Sequence, residues 1–137
     1  MKSSYQCTMK KSLILARGLP GSGKSALTKA LNIRAVCNAD DYLTRHGVYH
    51  WSNEDINLAH NWSRRKCRRF MKKQTETIIV TNVFANDREL IPYIDLARQF
   101  GYKLFSIILE TRHESTNTHH VPEEAIEKFR KRFDIKL

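Results

Sequence analysis

Lys24 and the glycines that precede it are the residues of this sequence best suited to chemistry. Gly18, Gly23, Lys24 and Ser25 stand at the spacing G-x-x-x-x-G-K-S within LARGLPGSGKSAL. That spacing folds backbone N–H groups around a polyphosphate, brings a lysine to the β- and γ-phosphates and puts a hydroxyl on the Mg²⁺ that bridges them. A turn tight enough to do this leaves little room for Cβ atoms, and Gly18, Gly21 and Gly23 are three of the chain's five glycines. The expected cradle is therefore Gly18, Leu19, Pro20, Gly21, Ser22, Gly23, Lys24, Ser25 and Ala26, holding ATP with Mg²⁺, with Ser25 as a metal ligand.

Asp40 and Asp41 are the second group. They follow the short apolar run Ala35–Cys37, and carboxylates just past a strand's C-terminal end lie on the ligand-binding edge of an open α/β sheet. Either suits a general base or support for Mg²⁺. The competing role is structural, an aspartate capping a short helix through Tyr42 and Leu43. Arg64, Arg65, Arg68 and Lys72 form a third group, a cationic ridge that fits phosphate contacts or simply a solvated helix face. Arg112, in the polar run ETRHESTNTHH from Glu110, is placed to reach a transferring phosphoryl group from a flap. The histidines of that run lack Cys or carboxylate partners at metal-ligand spacing, so a metal site there is not expected.

These groups need elements to position them. Leu13–Ala16 reads as a buried strand, and Ala26, Leu27, Ala30 and Leu31 recur at helical spacing, so the glycine loop sits between strand and helix as its chemistry requires. Ser52 stands three residues before Asp55 as a capping box, opening a helix to about Lys73. Its face Ile56, Ala59, Ser63, Cys67, Phe70 is turned inward, with His60 and Trp62 at the edge of the stripe, where packing or hydrogen bonding is the expected role. Thr77–Val80 is a third strand, 87–101 a helix with Pro92 in its first turn or at a kink, and Leu104–Leu109 a fourth strand. Pro122 opens a last helix with Ala125, Ile126, Phe129 and Phe133 inward. Four strands alternating with four helical patterns predict a single-domain α/β fold over 11–137, a short parallel sheet with helices on both faces, preceded by a polar arm at 1–10.

The chain has 137 residues, 41% hydrophobic and 28% charged, with a net charge of +10 and a pI near 9.8. This is the size of one layered domain. A triphosphate accounts for one or two of those charges, so the excess points to a polyanion such as a single-stranded nucleic acid, or else serves solubility alone. No apolar run approaches a membrane span, and the N-terminus lacks the apolar core of a secretory signal. Cys7, Cys37 and Cys67 fit neither a disulfide framework nor a metal motif, so reduced thiols in the cytoplasm are expected.

ARGLPGSGKS, NADDY, GVYHW, LAHNW, ELIPY and NTHHVP together resemble the P-loop kinases of the polynucleotide 5′-hydroxyl kinase type and, in the intermediate motifs, the Nedd4-binding-protein-like ATP-binding proteins. The resemblance runs from Lys11 to nearly the end of the chain. It implies a kinase-type P-loop fold in which Asp40 acts as base on an acceptor hydroxyl, and transfer of the ATP γ-phosphate to a polynucleotide 5′-OH. Leu43 stands where the phage kinases carry an arginine, Thr81 where an acid is usual, and Thr116 where relatives have arginine. These departures motivate an alternative, an ATP-binding or ATP-hydrolysing interaction module without acceptor chemistry. A third possibility is a small-molecule kinase.

Overall fold

The computed structural model describes residues 11–45 and 52–110 and, beyond them, the helical residues Glu124, Glu127 and Lys131. The expected turn at Gly47, the arm at 1–10, the flap with Arg112 and Thr116, and the inward stripe of the last helix lie outside the described residues.

Among the described residues four strands, β1 (Ser12–Arg17), β2 (Ala35–Cys37), β3 (Thr77–Asn82) and β4 (Lys103–Ile108), form one sheet in the order β2-β3-β1-β4. Every pairing is parallel, with Leu15 opposite Val80 and Ser106, and Cys37 opposite Val80. The central strands β1 and β3 are hydrophobic on both faces, and Leu13, Leu15, Ile78, Ile79 and Val80 are fully buried, as strands sandwiched between helices must be. Because β1 sits between β3 and β4 while the chain runs β1 to β2, strand order reverses beside β1. In open α/β sheets a crevice at such a reversal is where ligands bind.

The helices are α1 (Lys24–Ala30), α2 (Ala39–Arg45), α3 (Asn53–Lys72) and α4 (Ile91–Phe100). The α3 start is the expected capping box: the Ser52 hydroxyl accepts from the Asp55 N–H at 3.1 Å, and the Asp55 carboxylate accepts from the Ser52 N–H at 3.3 Å. Ala59, Ser63, Cys67 and Met71 recur every four residues and form its buried stripe. Ser63 Oγ and Tyr93 OH lie 3.0 Å apart, a buried hydrogen bond that ties α3 to α4. The Cys37 and Cys67 thiols are likewise paired in the core, and this contact together with burial pushes the Cys37 thiol well above its usual range. Both cysteines are core groups, as expected.

Residues 87–101 are not one helix. Asp87–Leu90 is a 3₁₀ turn, and α4 begins only at Ile91, with Pro92 in its first turn. Proline lacks an N–H and restricts the residue before it, so it suits a helix start and breaks the continuous helix expected from Asp87. Gly101 closes α4 at φ 73°, as predicted. No helix among the described residues is long and apolar enough to cross a membrane.

Candidate phosphoryl-transfer site

The glycine loop is held from both sides at its root. The Gly18 N–H donates to the Val83 carbonyl at 3.3 Å, and the Leu109 N–H donates to the Arg17 carbonyl at 2.8 Å. A Cβ at Gly18 would clash with Ser22 Oγ and come within 3.3 Å of Leu109 Cβ, so a side chain there would displace Ser22 and crowd the root of the loop. Gly21 and Gly23 adopt φ of 82° and 98°, the left-handed region that side chains disfavour. The loop then delivers the chain to α1, whose first residue is Lys24.

Lys24 Nζ donates to the carbonyls of Gly18 at 2.6 Å and Leu19 at 3.1 Å, lying across the loop. Burial lowers its pKa to about 8, opposed by the negative charge of Asp40. The two side chains therefore sense each other although they arise on α1 and α2. Phosphate oxygens in place of the two carbonyls would offer this ammonium a stronger, charged partner. Ser22 Oγ is buried without a hydrogen-bond partner among the described residues. An orphaned hydroxyl, left-handed glycines and a half-buried ammonium in one turn fit a polyphosphate.

A pH dependence follows. Phosphate binds the ammonium, and the free protein loses that proton above about pH 8, so ATP affinity should be flat below pH 7.5 and fall about tenfold per pH unit above 8. Titration calorimetry in buffers of differing ionisation enthalpy should also register proton uptake on binding near pH 8.5. A flat affinity to pH 9.5 would show that Lys24 does not meet the phosphates.

Across the crevice, Asp40 and Asp41 occupy the first turn of α2. Neither caps the helix. Asn38 Oδ1 accepts from the Asp40 N–H at 2.8 Å, and Asn82 Oδ1 accepts from the Ala39 N–H at 3.0 Å. With asparagines satisfying the backbone, both carboxylates are spared the capping role that sequence reasoning had allowed for one of them. Asp40 is half-buried and Asp41 exposed. Ser25 is exposed in the first turn of α1, and Thr81 is buried at the end of β3. No cluster of three His, Cys, Asp or Glu residues among the described residues could hold a metal unaided. A Mg²⁺ here would rest on Ser25 and on phosphate oxygens, as the P-loop arrangement requires.

Leu43 is buried against Ala39 and Ala59, with Tyr42 packed beside them, so it is a core contact between α2 and α3. The cationic ridge spans much of α3. Arg64 is half-buried and donates to Asn61 Oδ1, and it reaches His60 electrostatically. Arg65, Arg68 and Lys72 are exposed. From Arg64 to Lys72 the ridge runs about 12 Å along the α3 axis.

Sequence reasoning did not find the role of Arg17. Its side chain is 2% exposed, with Nε and Nη2 donating to the Phe84 carbonyl at 3.1 and 2.9 Å and Nη1 3.5 Å from Asp87 Oδ1. It fastens the 83–87 loop to the root of the glycine loop. The one available signal was a lone charge ending an apolar strand.

The parallel sheet, its order and the lysine-bearing glycine loop define a P-loop domain with a kinase-like fold. Residues 13–135 match the family described as AAA domain, and the chain belongs to that family. It is 32% identical to human NEDD4-binding protein 2 over 96 residues, 67% of this chain and 5% of that much longer protein. Among solved structures the fold is similar to a chain of the Pnkp1/Rnl/Hen1 RNA repair complex, with a TM-score of 0.66 and 18% identity over 96% of this chain and 47% of that one. It is also similar to a gluconokinase from Sinorhizobium meliloti, with a TM-score of 0.54 and 16% identity over 91% and 76% of the two chains. The family resemblance and the single-domain parallel α/β fold read from the motifs are both borne out.

Proposed function

We propose that this domain transfers the γ-phosphate of ATP to a hydroxyl of a nucleic acid, most simply the 5′-OH of a single-stranded end. The observation that carries the reading is the glycine loop between β1 and α1, with left-handed Gly21 and Gly23 and the Lys24 ammonium laid across it, and with Asp40 at the start of α2 acting on the lysine's charge. Lys24 and the loop N–H groups bind the triphosphate and stabilise charge on its β,γ-bridge and γ-oxygens. Asp40 orients the acceptor hydroxyl and accepts its proton as oxygen bonds to the γ-phosphorus. The bond from that phosphorus to the bridging oxygen breaks, and its electron pair leaves with ADP.

Ser25 would hold Mg²⁺ together with phosphate oxygens, with Asp41 supporting it, and the ion would neutralise charge developing on those oxygens. Arg112, outside the described residues, would share the same neutralising task. Arg64, Arg65, Arg68 and Lys72 offer phosphate contacts to the strand leading away from the site. The likeness to a chain of an RNA repair complex and the basic charge of this domain both support a nucleic-acid acceptor. The buried, paired thiols suit a reducing, cytoplasmic setting.

The buried Leu43 favours a second reading, an ATP-binding or ATP-hydrolysing module with no acceptor chemistry. The gluconokinase likeness keeps a small-molecule acceptor as a third. One experiment separates them: incubation with γ-labelled ATP and a 5′-OH oligonucleotide, with label followed into oligonucleotide and into free phosphate, alongside oligonucleotide affinity against salt. The kinase reading expects labelled oligonucleotide and a steep loss of affinity with salt. Label only in free phosphate supports the module. No labelled oligonucleotide and a salt-independent affinity point to a metabolite.

A further inference from the structure

One face of α3 joins an aromatic ring to a row of cations. Trp62 lies against α2: its ring centroid is 5.9 Å from that of Tyr42, with the planes tilted by 47°, and Tyr42 follows Asp40 and Asp41 on the same short helix. The contact adjoins the seam in which Ala39 and Leu43 meet Ala59, so Trp62 stands beside the helix that carries the acid of the kinase reading. Lys66, one turn further along α3, places its ammonium over the Trp62 ring, 5.1 Å from the centroid. Both side chains are half-buried, whereas Arg69 and Lys73, the latter at the C-cap, are exposed. Spacings of four, three and four residues put Trp62, Lys66, Arg69 and Lys73 within about 60° of one another around the helix, in a row about 16 Å long. The row lies about a quarter turn from the outward line of Arg65, Arg68 and Lys72, and no acidic residue follows Trp62 in α3.

An accessible ring with cations in line behind it is the combination by which proteins hold single-stranded polynucleotides: a base stacks on the ring, and the phosphates that follow meet the charges. Helix polarity accounts for cations in the last turn of α3, Arg69 and Lys72 among them. It does not account for Lys66 on the indole face. Resting on the kinase reading for the identity of its acceptor, we propose that Trp62 stacks a base near the 5′ end of a single-stranded acceptor and that Lys66, Arg69 and Lys73 bind the phosphates leading away from it. Lys66 keeps the ring face covered in the free protein. A cation over a partly solvated ring is held less strongly than a stacked base, and the displaced ammonium gains a charged partner in the phosphate beside that base. Because every base has a π face, such a site holds an acceptor without reading its sequence.

The test is equilibrium binding, by fluorescence anisotropy over a range of salt, of two 3′-labelled single strands with 5′-OH ends, one complete and one with abasic sugars at its 5′ end. Both carry the same phosphates. Wild type should bind the complete strand at least about fivefold more tightly, the worth of one stacked base. Trp62→Leu should bring that ratio close to one while keeping its affinity for ATP, and Trp62→Phe, which retains a ring, should keep part of it. Lys66→Gln should at least keep the ratio and reduce the slope of log affinity against log salt by about 0.7, one phosphate contact to a single strand. Equal binding of the two strands by wild type overturns the proposal, as does an unchanged ratio in Trp62→Leu or an unchanged slope in Lys66→Gln. If Trp62→Leu does not fold, the wild-type ratio and Lys66→Gln decide. Label transfer from ATP is measured separately on the same strands: a preference for bases without transfer leaves this site standing and removes the kinase reading, whereas transfer without that preference does the reverse.

Discussion

Lys24→Ala should weaken ATP binding by roughly tenfold to a hundredfold, the worth of a charge-assisted hydrogen bond to phosphate. It should lower the transfer rate by a further factor of roughly a hundred to a thousand, the usual cost of removing one donor that meets developing charge. The variant should fold normally. In the free protein the ammonium rests on two loop carbonyls, and its pKa is lowered chiefly by burial, so the charged form is held at a cost that alanine removes. Circular dichroism and a melting temperature near that of wild type would establish this. Lys24→Arg should not rescue, because a planar guanidinium cannot lie in the same narrow turn as a compact ammonium. Wild-type transfer rates in Lys24→Ala would eliminate every enzymatic reading above.

Asp40→Asn should separate binding from chemistry. The amide keeps the shape of the side chain and removes the proton acceptor, so transfer should fall by about a hundredfold to ten-thousandfold, the range for loss of a general base. ATP affinity at neutral pH should hold or improve, because a negative charge leaves the neighbourhood of a triphosphate. The variant carries a second signature. The Asp40 charge raises the Lys24 pKa, so removing it should move the alkaline loss of ATP affinity to lower pH. Unimpaired transfer would mean that another group takes the proton. Impaired transfer with an unmoved pH profile would place Asp40 outside the electrostatic reach of Lys24.

The glycine loop was legible because a turn that tight admits few residue types, and the capping box at Ser52 because two side chains at fixed spacing answer each other's backbone. Other features depended on distances that sequence does not contain. Asn38 and Asp40 are equally good capping residues on paper; what spares Asp40 is Asn82, more than forty residues away, engaging the Ala39 N–H. His60 reads as a residue at the margin of an apolar stripe until the fold brings it within reach of the charges of Glu89 and Asp40. Leu43 could be recognised as a departure from the kinase pattern, but only the packing of α2 on α3 identifies it as a core residue. The break before α4 was half visible: Pro92 announced a boundary, and the turn ahead of it has the 3₁₀ form that short connectors often take.

Arg17 has a consequence for the order of events. Its guanidinium joins the strand that feeds the glycine loop to the carbonyl of Phe84, a bulky residue itself held at φ 49°. The root of the glycine loop and the turn after β3 are thus fastened to each other in the folded protein. If the domain is the kinase proposed above, the ordering of its own groups around the reactants is met at folding, and only the reactants' own freedom is lost at each turnover.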